Sequence, residues 1–150
     1  IAIGGGIIQD RTCFLSTTVM RGLPWIFYPT TLLAQSDSCI GSKSSINSGE
    51  VKNILGTFTP PDKVVIDVDF LKTLEQREIF SGIGEMLKVH AINSPESFDL
   101  ISAAYEDLLK DSMIIEEFIH NSLSMKKKLI EISAVIKDII TIIKNLKINI

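Results

Sequence analysis

Apolar and polar positions change their period several times along this chain, and each change marks a new element. Ile1-Ala2-Ile3 reads as the end of an apolar strand running into Gly4-Gly5-Gly6, and apolar residues at helical spacing follow over residues 10–20. A strand, a glycine turn and a helix are predicted. Trp25-Ile26-Phe27-Tyr28 predicts a second buried strand stopped by Pro29, after which Thr30 and Thr31 offer capping hydroxyls to a helix through Leu32-Leu33-Ala34. Residues 36–53 hold many Ser, Gly and Lys but few large apolar groups, so a long loop or short helical turns are expected there. Val64-Val65-Ile66 predicts a third strand over residues 63–68, bounded by Pro60-Pro61 before it and by Asp67 and Asp69 after it.

From Leu71 onward the period becomes helical. Helices are expected over residues 75–90, 95–110 and 113–132, the last placing Ile115, Phe118, Ile119, Ser122 and Leu129 on one face. The fold class is therefore α/β followed by all-α, with a boundary near Leu74. Seven of the eighteen residues from 133 to 150 are Ile and the rest are mostly Lys, Asn, Asp and Thr. This tail reads either as an out-of-frame product or as a helix.

At 150 residues the chain is about one domain's worth, short for an enzyme that builds a cofactor site and a substrate site on separate lobes. Such an enzyme seen here is a piece, and the apolar start at Ile1 reads as a strand whose beginning is cut. A 45% hydrophobic, 22% charged composition excludes a disordered tail, and the net charge of −3 argues against binding nucleic acid through a basic surface. Cys13 and Cys39 have neither Cys-x-x-Cys nor zinc-ligand spacing, so buried thiols in a reducing compartment are expected. No apolar run reaches the roughly 18 residues needed to span a bilayer. A cytoplasmic chain without membrane contact is the expectation.

Several residues suit a phosphorylated ligand. Gly4-Gly5-Gly6 between strand and helix lets backbone N–H groups approach a pyrophosphate, although tight strand-to-helix turns use glycines without any ligand and the Gly-x-Gly-x-x-Gly pattern is not met. Asp10, one turn later, suits either a helix-start carboxylate or a ligand contact. Asp37, Lys43, Lys52 and Asn53 suit a phosphorylated polyol, or a solvated loop. Glu85 and Lys88 share a helix face, and Gly82 and Gly84 just before them imply close approach by something. An exposed ion pair is the plainer account. His90 lies about 140° around the helix from Glu85, so the two do not share a metal from that helix. Both His90 and the isolated His120 read as surface or core residues, and Lys126-Lys127-Lys128 as a solvated stripe.

Seven ordered stretches nevertheless resemble 3-dehydroquinate synthase and its relatives among the sugar-phosphate cyclases. They are Gly4-Gly5-Gly6-Ile7-Ile8-Gln9-Asp10, Met20-Arg21-Gly22, Pro29-Thr30-Thr31-Leu32-Leu33-Ala34-Gln35-Ser36-Asp37-Ser38, Gly41-Ser42-Lys43, Lys52-Asn53-Ile54-Leu55-Gly56-Thr57-Phe58, Asp69-Phe70-Leu71-Lys72-Thr73-Leu74 and Gly82-Ile83-Gly84-Glu85-Met86-Leu87-Lys88. The resemblance runs to about Ile132. It implies a partial dehydroquinate synthase-like fold: residues 1–74 as the latter half of a Rossmann-like NAD domain, residues 75–132 as the first helices of a metal and substrate domain, and residues 133–150 as a divergent tail.

By the same resemblance, Gly5, Gly6, Ile7 and Asp10 cradle NAD, with Thr30, Thr31, Lys43, Lys52, Phe70 and Thr73 completing its contacts. Asp37, Lys43, Asn53, Lys88 and Lys126 match substrate-binding positions. Arg21 matches an arginine that reaches substrate phosphate across the interface of a homodimer, the expected state of the full-length enzyme. Glu85 matches the one carboxylate of a site for zinc or cobalt whose other ligands are two histidines. The implied reaction cyclises 3-deoxy-arabino-heptulosonate 7-phosphate, a phosphorylated seven-carbon sugar acid, to 3-dehydroquinate with loss of phosphate, a shikimate-pathway step.

Departures from the family pattern matter as well. Gln9 stands where the family has Gly, Ser42 replaces the second Gly of a Gly-Gly-Lys, and Ser44-Ser45-Ile46-Asn47 is a variant segment. After Lys126 the family's acidic pair, arginine, asparagine and Gly-His-x-x-x-Gly-His segment do not follow. The chain resembles about the middle 40% of such an enzyme and is expected to be inactive alone. A secondary-metabolic cyclase and a non-catalytic remnant are the alternatives.

Overall fold

A computed structural model describes the backbone of residues 1–41, 43–48 and 51–147, and the side chains of residues 1–41 and 59–134. Strands β1 (Ala2–Gly4), β2 (Ile26–Pro29) and β5 (Lys63–Val64) form a parallel sheet in the order β1-β2-β5. Ala2 pairs with Phe27, Gly4 with Pro29, and Phe27 with Val64. Helix α1 (Gly6–Thr18) links β1 to β2, and α2 (Leu32–Ser36) follows β2 with the Thr31 hydroxyl accepting from the Ala34 N–H. Ala2, Cys13, Trp25, Phe27, Ala34 and Cys39 form the buried cluster between the sheet and these helices.

Within residues 36–53 the expectation of a loop or short helical turns is met only near the start. A 3₁₀ turn over Ser38–Ile40 is followed by an antiparallel pair, β3 (Lys43–Ser48) and β4 (Val51–Phe58), with Lys43 opposite Phe58 and Ser48 opposite Val51. Main-chain pairing is open to Ser, Lys and Asn as to any non-proline residue, so low apolar content did not prevent a ladder. Val51, Ile54, Thr57 and Phe58 supply the strand preference. The pair lies against α1.

Other boundaries also differ. The first helix begins at Gly6, not residue 10, and ends at Thr18 because Met20 and Arg21 take φ of 51° and 66° and Gly22 takes 128°. The third strand is shorter than expected, since the Asp67 carboxylate accepts from the Asp69 N–H at 2.9 Å and starts a 3₁₀ turn over Val68–Thr73. A short side chain that satisfies a nearby N–H draws the backbone out of the ladder.

The remaining chain is helical: α3 (Gln76–Asn93), α4 (Pro95–Ala103), α5 (Tyr105–Leu108) and α6 (Ser112–Lys147). The helix expected over residues 95–110 is two, broken at Ala104, where ψ rises to 2°. Ser94 caps α4 by accepting from the Ser97 N–H at 3.1 Å, with Pro95 in the first turn. The last helix runs past residue 132 to Lys147. Leu32 and Leu71 are buried with Ile83, Met86, Ile101, Leu108, Ile115, Phe118 and Ile119, so α2 and the 3₁₀ turn share the core of the helical part.

Candidate functional site

The glycine turn leads from β1 into α1. Gly5 is the N-cap residue, and a Cβ there would stand 2.9 Å from Thr31 Cγ2, so only glycine lets the turn and the start of α2 approach this closely. Nothing lies within 4 Å of where a Gly6 Cβ would be. The Thr30 N–H donates to the Gly4 carbonyl at 3.0 Å, which holds the two threonines beside the turn. The opening N–H groups of α1 have no acceptor within the helix and carry partial positive charge. A phosphate-sized anion beside Gly6 suits this cradle, with Ile7 and Asp10 exposed around it. Although Asp10 is exposed, the chain packed around its carboxyl removes some of its water and raises it above its ordinary range.

A second group forms around the end of α2. Lys126, on α6, places its Nζ 2.6 Å from Asp37 Oδ1 and donates to the Asp37 carbonyl at 2.8 Å. Both side chains are largely buried, at 21% and 18% exposed. On α3, Lys88 pairs with Glu85. The hydrogen bond to Glu85 is the main cause holding Lys88 above the usual lysine range, and attraction from Asp37 adds to it. Asp37 thus pairs directly with Lys126 of α6 and is near enough to Lys88 of α3 to attract it. Cys39 sits just behind them, fully buried, and burial pushes its thiol up to about 12, so it stays protonated and takes no nucleophilic part.

Three helices meet here because α2 and α3 cross at Gly82. A Cβ on Gly82 would lie 2.4 Å from Leu32 Cγ and 2.8 Å from the Leu33 nitrogen. This is the close approach that the glycine pair implied, although Gly84 faces open space and takes no part in it. The reading of Lys126 as part of a solvated stripe is corrected: Lys127 and Lys128 are exposed, but Lys126 is half-buried on Asp37.

Other expected residues are placed elsewhere. Arg21 is exposed just past the far end of α1, roughly 20 Å along that helix from the glycine turn. Phe70 and Thr73 share the 3₁₀ turn, with the Thr73 hydroxyl donating to the Phe70 carbonyl at 3.5 Å. Lys43 opens β3 and Lys52 and Asn53 lie on β4, but their side chains fall outside the described residues.

The residues present do not make a metal site by themselves. Among the described residues no three His, Cys, Asp or Glu side chains stand close enough to hold an ion. Glu85 is turned to Lys88, whereas His90 is buried with Nδ1 at 2.8 Å from the Ser97 hydroxyl and its ring 5.6 Å from that of Phe118. His120 is exposed.

Sequence reasoning missed Gln35. Fully buried on α2, it donates from Nε2 to the Pro29 carbonyl at 3.0 Å and the Asp67 carbonyl at 2.8 Å, tying together the chain ends that leave β2 and β5. A glutamine inside an apolar helical run was the one available signal.

Residues 1–81 match the family described as 3-dehydroquinate synthase N-terminal. The chain belongs to the 3-dehydroquinate synthase family. It is 44% identical over 131 residues to the 3-dehydroquinate synthase of Lactococcus lactis subsp. cremoris, covering 87% of this chain and 37% of that protein. To the 2-epi-valiolone synthase of Actinosynnema mirum it is 42% identical over 131 residues, 87% of this chain and 34% of the other. Among solved structures, ValA, the 2-epi-5-epi-valiolone synthase of Streptomyces hygroscopicus with NAD+ and Zn2+ bound, superposes with TM-score 0.78 at 32% identity, covering 85% of this chain and 36% of that one. A 2-deoxy-scyllo-inosose synthase complexed with carbaglucose-6-phosphate, NAD+ and Co2+ matches with TM-score 0.68 at 25% identity, over 83% and 34%. These are sugar-phosphate cyclases, and the partial α/β-then-α fold of this family member is theirs. The chain spans a little over a third of the length of such relatives.

Proposed function

We propose that this chain is the central part of an NAD-dependent, cytoplasmic sugar-phosphate cyclase, and that 3-deoxy-arabino-heptulosonate 7-phosphate converted to 3-dehydroquinate is its reaction. The observation that carries this reading is the buried pair of Asp37 with Lys126 of α6, with the Glu85–Lys88 pair of α3 close enough for Asp37 to attract Lys88, and the glycine turn at the other end of α2. Residues 1–74 would carry the cofactor, 75–132 the substrate and, in the full-length dimer, Arg21 would reach the partner's site.

In this reading the N–H groups of Gly6 and Ile7 bind the NAD pyrophosphate, with Thr30, Thr31 and Asp10 around it and Lys52, Phe70 and Thr73 beyond. NAD supplies transient oxidation of a ring hydroxyl, which acidifies the neighbouring C–H and is reversed after phosphate has left. Lys88 and Lys126 hold the substrate phosphate, assisted by Lys43, and Asn53 meets a hydroxyl. Because Glu85 and Asp37 keep Lys88 protonated, it acts by charge rather than as a base. Held there, the phosphate's own oxygen takes the acidified proton as its C–O bond breaks, and a protein nucleophile is not required. The family's metal is assigned no step, since this chain supplies only Glu85 of its ligands.

A chimaera tests the assignment. Residues 1–132 replace the matching segment of the Lactococcus lactis synthase, and dehydroquinate and phosphate release are measured. Turnover supports the reading, and a folded, NAD-binding chimaera without it sinks it. The comparable identity to 2-epi-valiolone synthase favours a second reading, in which sedoheptulose 7-phosphate is the substrate; the same chimaera distinguishes them.

A further inference from the structure

Gln9, which replaces a family glycine, is 5% exposed on α1 and has not been absorbed by the site just described. Its Nε2 donates to the Ser38 carbonyl at 2.6 Å and, at 3.5 Å, to the Gly41 carbonyl, while its Oε1 accepts from the Ser38 hydroxyl at 2.7 Å. One side chain therefore grips Ser38 at two points. The gripped turn starts at Asp37, the residue that holds Lys126, and leads into β3 at Lys43. Ser38 also accepts from the Gly41 N–H at 2.8 Å, closing the turn on itself. The turn is thus held from α1 by Gln9 and from α6 by Lys126, elements 29 and 89 residues away in sequence.

We propose that Gln9 is a positioning residue, locking the turn from Ser38 to Gly41 so that Asp37 presents the Lys126 ammonium to the phosphate of the substrate. The chemistry favours a specific device over ordinary packing. A glycine at this position would leave the Ser38 carbonyl without the side-chain donor that now meets it. A leucine or methionine would fill the same volume without meeting either polar atom. Because Gln9 lies in the helix that opens at the glycine turn, the same contact joins the nucleotide side of the proposed site to its phosphate side. The inference rests on the proposed role of Asp37 and Lys126 in phosphate binding.

The test compares Gln9→Met, Gln9→Glu, Ser38→Ala, Asp37→Asn and the double variant Gln9→Met with Asp37→Asn in the full-length protein. Dissociation constants are measured separately for 3-deoxy-arabino-heptulosonate 7-phosphate, for sedoheptulose 7-phosphate and for NAD. Backbone hydrogen exchange at residues 38–41 is followed in parallel. Gln9→Met is expected to speed exchange there at least tenfold and to weaken binding of whichever sugar phosphate the protein takes by about 5- to 10-fold, with NAD affinity changed less than twofold. Ser38→Ala, which removes one contact, is expected to fall between Gln9→Met and the unaltered chain, whereas Gln9→Glu, which sets a buried carboxylate oxygen against the Ser38 carbonyl, is expected to weaken binding at least as much as Gln9→Met. The double variant is expected to bind sugar phosphate no more weakly than Asp37→Asn alone, since Gln9 acts through Asp37. Additive losses would overturn the proposal, as would faster exchange with unchanged sugar-phosphate affinity. If Asp37→Asn and Lys126→Met themselves leave that affinity unchanged, or the unaltered protein binds neither sugar phosphate, the phosphate-site reading fails and the proposal fails with it. In that case the exchange data still report the contact by itself.

Discussion

Gly82 of α3 and Leu32 of α2 meet with no room for a single added carbon: a Cβ on Gly82 would fall 2.4 Å from Leu32 Cγ and 2.6 Å from its Cβ. The crossing sets how near Glu85 and Lys88, one turn and two turns along α3, come to Asp37 at the end of α2. Gly82→Ala is expected to destabilise the chain by about 1–3 kcal/mol, because the Leu33 backbone nitrogen at 2.8 Å cannot move aside as a side chain can. Gly84→Ala, facing open space within the same helix, is expected to stabilise by roughly 0.5–1 kcal/mol. Denaturant midpoints of the two variants, shifted in opposite directions, are the check.

The pair between Asp37 and Lys126 is buried enough for its loss to register. Lys126→Met removes two contacts and leaves the Asp37 carboxylate without its partner, an expected cost of about 1–3 kcal/mol. Asp37→Asn combined with Lys126→Met is expected to cost less than the two single changes added together. A double-mutant cycle by chemical unfolding measures the coupling. Strict additivity would show that the two groups do not interact in solution.

His90 makes stability depend on pH. Burial lowers its proton affinity below the ordinary value of 6.5, with the hydrogen bond to Ser97 opposing part of the shift. The unfolded chain therefore takes up a proton first as pH falls, so stability is complete above about 6.5 and is lost on acidification toward the lower folded value. His90→Gln is expected to remove this slope between neutral and mildly acid pH. Nε2 is buried with no partner among the described residues, so protonation there adds an unmet donor. Unfolding midpoints across that pH range, for both proteins, supply the comparison.

Taken alone, the chain is expected neither to hold stoichiometric zinc nor to form dehydroquinate. Glu85 is a single carboxylate, and zinc catalytic sites normally use three protein ligands. NAD affinity is expected to be on the order of millimolar or weaker, because the glycine turn offers pyrophosphate contacts while the chain spans little more than a third of its NAD-bound relative. Equilibrium dialysis with zinc and calorimetry with NAD decide both points. Micromolar NAD affinity would show that the chain assembles a complete nucleotide site unaided.

Local pattern determined a good deal about this protein. Ordered motifs carried its family, the glycine turn and Thr30-Thr31 were legible as strand-to-helix punctuation, and the spacing of Ile115, Phe118, Ile119 and Ser122 marked the buried face of α6. These are legible because backbone preference and side-chain period act over one or two turns. Tertiary structure alone decided the rest. Main-chain ladders join Lys43–Ser48 to Val51–Phe58 without asking for apolar side chains, so composition misread that stretch as loop. Gln9 meets Ser38 across 29 residues and Lys126 meets Asp37 across 89, and no periodicity encodes a contact at such separation. Gly82 implied a close approach, but that Leu32 is what approaches was decided only by packing: what a residue costs its own helix is written locally, and what it permits depends on the element beside it.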